Sequence, residues 1–144
     1  MEWLKVAVDY GIIGLLMVLS VVSIGIAIER YLLYRQIELS RFSNKTALEI
    51  ELTNKLNIIA TIGSNAPYIG LLGTVLGIML TFYAIGNEGA MDPGKVMIGL
   101  ALALKATAVG IVVAIPSVVL YNILLRRAKV LLMQWDMEYG RKGI

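Results

Sequence analysis

Residues 56–86 read LNIIATIGSNAPYIGLLGTVLGIMLTFYAIG and contain no charged side chain. A helix needs about 20 mostly apolar residues to cross about 30 Å of hydrocarbon. This stretch is longer than that, so it reads as a membrane span. Strands would instead need about 10 alternating residues each, closed into a barrel. The alternation is absent, and the reading is helical.

Two more blocks flank it. Residues 10–28 are free of charge, and residues 96–125 hold one charged residue, Lys105. The chain of 144 residues is 58% hydrophobic and 16% charged. Soluble domains carry about 45–50% apolar and about 25% charged residues, so the excess lies in these three blocks. The fold class expected is an all-α integral membrane protein with three transmembrane helices. One domain is expected over 1–144, with spans near 10–28, 64–86 and 96–122. The first block does not read as a signal peptide. Before it, Lys5 stands against Glu2 and Asp9, so there is no basic leader, and Glu29 and Arg30 end it without a small-residue cleavage pattern.

Basic residues flank the cytoplasmic ends of spans. Arg30, Arg35, Arg41, Lys45 and Lys55 lie between the first two blocks, and Arg126, Arg127, Lys129, Arg141 and Lys142 follow the third. The 87–94 turn has none, and Lys95 just beyond it lies close to Glu88 and Asp92. One topology satisfies every flank: N-terminus periplasmic, 30–60 and 126–144 cytoplasmic, the 87–94 turn outside. The net charge of +3 reports this orientation rather than a nucleic-acid partner. Trp3 and Tyr10 suit the outer interface, Tyr31 and Tyr34 the inner one.

Ser40–Asn44 reads as a turn, and Thr46 with Glu49 as a capping box. Leu48, Leu52, Leu56 and Ile59 recur at helical spacing, which predicts one helix running from the cytoplasm into span two. Pro67 predicts a bend there, with Asn65 offering polar groups to the freed backbone, and Pro116 sits inside span three. Asp92–Pro93 is an N-cap and N1 pair for a third helix too long for one crossing. Helices two and three are therefore expected to extend into the cytoplasm.

Polarity inside the spans is arranged. Pro67, Gly70, Thr74, Gly77 and Thr81 fall on one side of helix two, and Gly73 with Gly77 forms a GxxxG. Ala103, Thr107, Gly110, Ala114 and Ser117 make a similar stripe on helix three. Two readings compete: close helix packing by Gly70, Gly73, Gly77, Gly110 and Ala114, or a hydroxyl-lined hole at Thr74, Thr81 and Thr107. Threonine hydroxyls donate and accept, which suits a proton path. Lys105 points about 160° from Thr107. It either snorkels outward or makes an intersubunit contact. There are no cysteines and no histidines, and spans two and three hold no Asp or Glu. No metal, cofactor or nucleophile–base pair is legible. A proton relay normally needs a titrating group, so a proton-moving role requires a carboxylate on another chain.

The 66–79 stretch APYIGLLGTVLGIM resembles the second-span signature of the ExbB and TolQ proton-channel subunits. Residues Ala106–Gly110, Ala114–Val119, Tyr121 and Asn122 are similar to their third-span signature. The resemblance implies an inner-membrane homopentamer around two copies of a single-span partner, ExbD, which carries the membrane aspartate. It implies proton flow that energises TonB for outer-membrane uptake of iron-siderophore complexes or cobalamin, and pore threonines at Thr74 and Thr107. Thr81 is added by helical spacing alone. Some relatives carry a glutamate before the third-span threonine, where Leu102 stands here. The alternatives are the TolQ role in envelope constriction, a more distant MotA-like stator, and a non-conducting scaffold among phospholipids. No nucleic-acid partner is expected.

Overall fold

The computed structural model describes residues 2–89 and 92–140. Arg141, Lys142 and part of the 87–94 turn lie outside the described residues. The elements are α1 (Glu2–Gln36), a 3-10 turn (Leu39–Arg41), α2 (Lys45–Thr53), α3 (Leu56–Glu88) and α4 (Pro93–Tyr139). Among the described residues, three helices are long and apolar enough to cross a membrane. At 1.5 Å per residue, α4 is about 70 Å long, roughly twice the hydrocarbon thickness. One part of it must therefore stand in water.

α1 begins at Glu2, well before the expected start near residue 10. Nothing in the first nine residues breaks a helix, so the backbone continues through its polar start. The single helix expected from the cytoplasm into span two is instead two helices. Asn54 and Lys55 separate them, and Lys55 takes a left-handed conformation at φ 69°. That conformation is disfavoured for a residue with a Cβ. It is held from outside: Lys55 pairs with Glu29 of α1 at 3.0 Å.

The same corner satisfies the end of α2. The last carbonyls of a helix lack intrahelical partners. Here Arg30 donates to the Glu51 carbonyl at 2.9 Å, and the Tyr34 hydroxyl donates to the Leu52 carbonyl. Arg30 is 4% exposed and also bonds Glu29 at 2.9 Å. Its guanidinium is bound on two nitrogens by groups that need it there.

The start of α2 corrects the expected capping box. Asn44, in extended conformation, accepts from the Ala47 amide at 2.7 Å, while Thr46 lies inside the helix. Asn44→Ala should cost α2 about 1 kcal/mol. Amide exchange in α2 is then expected to quicken about fivefold, with α3 and α4 unchanged.

α3 runs through Pro67 as helix, and α4 through Pro116. A proline cannot donate to the carbonyl four residues back. The Asn65 carboxamide, expected from sequence to offer polar groups to the freed backbone, does not reach the Gly63 carbonyl. It bonds the Thr61 carbonyl at 2.8 Å. Asp92 does cap α4, accepting from the Gly94 amide at 3.0 Å with Pro93 at the first position.

The core has two parts. At the α2 end, Tyr34, Leu48, Leu52, Ile59, Leu131 and Trp135 are among the buried residues of one cluster. Nearer the middle, Leu16, Ile62, Ala66, Val113 and Ala114 form another. Lys45 and Asp136 clamp α2 to α4 at 2.6 Å. The hydrogen bond that Lys45 donates to Asp136 raises the Lys45 pKa above its ordinary 10.5. The pair's contribution is whole below that pH and is lost only as pH climbs through the raised value.

Candidate functional site

α3 and α4 form the closest helix pair, and glycine sets their distance. A Cβ at Gly70 would stand 2.6 Å from the Ala106 carbonyl oxygen and 3.1 Å from the Gly110 Cα. A Cβ at Gly110 would stand 2.6 Å from the Ala66 carbonyl oxygen. Backbone lies on backbone at this crossing, as small residues permit. Gly73 and Gly77 continue the contact against Ala106 and Ala103. Ala114 is buried further along α4. Within one chain, therefore, the two small-residue stripes face each other.

The close approach brings two hydroxyls together. Thr74, 6% exposed, meets the half-buried Thr107 across the seam, Oγ1 to Oγ1. Thr74 also reaches the Ala103 carbonyl at 2.9 Å and, more loosely, the Gly70 carbonyl at 3.3 Å. A hydroxyl has one proton to donate. A carbonyl can only accept, so Thr74 donates to Ala103 and accepts from Thr107. The result is a directed chain from Thr107 through Thr74 to the Ala103 carbonyl. Thr107, the more exposed member, keeps its own acceptor lone pairs.

Thr81 does not join this pair. It lies about two turns further along α3, 3% exposed, and donates to its own helix at the Gly77 carbonyl, 2.8 Å away. Ser117 behaves similarly toward Val113 at 3.0 Å, and it accepts from Ser23 of α1 at 2.9 Å. That buried pair fastens α1 to α4. Sequence reasoning passed over Ser23, because one serine in an apolar block has no partner visible along the chain.

Lys105 has a partner inside the chain. Its ammonium lies 3.2 Å from the Asp9 carboxylate of α1. The two readings from sequence, snorkelling and an intersubunit contact, named no partner within the chain, and the ion pair adds one. Asp9 was read only as flank. Its signal was its depth: once α1 begins at Glu2, Asp9 lies two turns into the helix, opposite a lysine a few turns into α4. Among the described residues, no three metal-ligating side chains gather.

A family profile matches residues 25–137, which include the glycine crossing and the hydroxyl pair. The chain belongs to the MotA/TolQ/ExbB proton channel family. Within it, the chain is 54% identical to a biopolymer transport protein ExbB of Aquifex aeolicus, over 97% of this chain and 95% of that one. It is 51% identical to a putative biopolymer transport protein ExbB-like 2 of Helicobacter pylori, over 93% and 89%. A longer ExbB of Pseudomonas putida matches over 69 residues at 51% identity, 48% of this chain and 21% of that protein. The chain is a multi-pass membrane protein of a transport family.

Proposed function

We propose that this chain is the wall subunit of a proton-driven motor in the bacterial inner membrane. Several copies, five by family resemblance, form a ring among phospholipids with the N-terminus periplasmic. The ring surrounds two copies of an ExbD-type single-span partner and passes the energy of proton flow to TonB. Thr74 and Thr107 line the proton path, and Thr81 lies toward its outer end.

The observation that carries this reading is the Thr107–Thr74–Ala103 hydroxyl chain, set in spans that hold no carboxylate or histidine of their own. Such a chain fixes the Thr107 hydroxyl as an acceptor beside a proton path, but it ends on a carbonyl and cannot store a proton near neutral pH. Storage then falls to an acid on another helix. The ExbB name carried by relatives of nearly the same length favours the transport role over the TolQ role.

Reconstitution tests this. Vesicles holding the chain alone should not conduct protons under an imposed potential. Vesicles holding it with the aspartate-bearing partner should, and replacing that aspartate by asparagine should abolish the flux. Equal conduction with and without the partner would refute the division of labour.

A further inference from the structure

The first turns of α1 and the outer half of the α3–α4 hairpin enclose a cleft of about 320 Å³. Asp9, Lys105 and Thr81 contribute to its lining, and Gly73, Gly77 and Gly99 to its floor. We infer that this cleft is an aqueous vestibule in each subunit, held polar by the Asp9–Lys105 ion pair, which carries water from the hairpin-loop side to Thr81. The inference rests on the channel reading and deepens it by naming, within each subunit, the entry to the outer end of the path at Thr81.

Three observations converge on it. The first is charge. Lys105 and Asp9 form an ion pair with 49% and 31% of their side chains exposed, and Lys5 lines the same cleft. Ionisable groups at membrane depth face a bundle interior or a water-filled cavity, because lipid solvates them poorly. The cleft they line supplies that surface.

The second is the floor. Glycines let the neighbouring helix close tightly behind the cleft. A Cβ at Gly99 would stand 2.6 Å from the Thr81 Cγ2 and 2.7 Å from its hydroxyl oxygen. Only glycine there allows Thr81 its place in the wall. At roughly 30 Å³ per molecule, the volume accommodates about ten waters.

The third is Thr81 itself. Its one proton goes to the Gly77 carbonyl at 2.8 Å. Its lone pairs receive no donor among the described residues, although the residue is 3% exposed. A buried acceptor facing a cleft that also holds an ion pair is the kind of group that ordered water serves.

The chain has no native cysteine, so one introduced thiol can be read cleanly. The thiolate attacks the sulfur of a thiosulfonate reagent and expels sulfinate, and the thiolate forms in water and not in lipid. In the assembled complex, Thr81→Cys should react with a membrane-impermeant cationic thiosulfonate added on the loop side within about tenfold of the rate at Asn87→Cys. Val112→Cys, on an exposed apolar face, should react at least a hundredfold more slowly. Adding Asp9→Asn with Lys105→Met should slow Thr81→Cys labelling at least tenfold, as the polar lining is lost. If Thr81→Cys fails to assemble, Leu102→Cys, also on the cleft wall, carries the same comparison. Labelling at the Val112→Cys rate would overturn the inference, and so would labelling indifferent to the double charge removal. A lipid chain filling the cleft would give the first of these results. Labelling reports water and not flux. A wet Thr81 without conduction would count against the channel reading alone, and conduction with a dry Thr81 against the vestibule alone.

Discussion

Gly110→Val should prevent α3 and α4 from closing and leave little folded protein. The Cβ alone would meet the Ala66 carbonyl oxygen at 2.6 Å and the Gly70 Cα at 3.1 Å. Both are backbone atoms on a helix, so no rotamer change can yield. The helices must separate, and the seam that holds Thr74 against Thr107 opens with them. Overpacking a core costs about 1–3 kcal/mol and occasionally more. At a backbone-on-backbone crossing, a loss of about 3 kcal/mol or more is expected. Gly86→Val provides the contrast, because nothing lies within 4 Å of a Cβ at Gly86. Thermal unfolding in detergent checks both: the Gly110 variant should unfold far below the parent or not accumulate, and the Gly86 variant should match it. A parent-like midpoint for Gly110→Val would show that the crossing is looser than described.

Thr107→Val should do the opposite, sparing the fold and removing the function. Valine keeps the branched shape and deletes only the hydroxyl. Thr74 keeps its bond to the Ala103 carbonyl at 2.9 Å, so no buried donor is orphaned. The stability cost should stay within about 0.5–1.5 kcal/mol, the net worth of one hydrogen bond. The proton chain, however, loses its exposed end. If passage without the hydroxyl adds even about 1.4 kcal/mol to the barrier, flux falls about tenfold. Thr107→Ser restores a hydroxyl at the same atom and should recover most of the flux. Measuring flux in partner-containing vesicles beside unfolding midpoints separates the two effects. A drop in flux matched by a drop in stability would point to packing rather than proton handling.

These expectations rest on features that the sequence shows unevenly. The three spans were legible because apolar blocks of that length with at most one charge have one physical meaning. The glycine crossing was legible as a stripe, since small residues at helical spacing are a local pattern. The α2 corner was not. Arg30, Tyr34 and Lys55 meet only after α1 turns back on α2, and no spacing along the chain announces a left-handed lysine. The cap was misplaced by two residues because Asn44 and Thr46 are both good capping types, and only backbone conformation chooses between them. Lys105 was conspicuous alone, but Asp9 became its partner only once α1 proved to start at Glu2. A polar start to an apolar helix hides how deep its first charges sit.

The central claim is that the Thr107 hydroxyl faces an acid carried on a foreign helix. A cysteine at the partner's membrane aspartate and another at position 107 of this otherwise cysteine-free chain can be joined by a short thiol-to-thiol crosslinker in the assembled complex. The account predicts a crosslink from Thr107→Cys and none from Val112→Cys, which points about 140° away on α4. A crosslink from Val112→Cys with none from Thr107→Cys would contradict it.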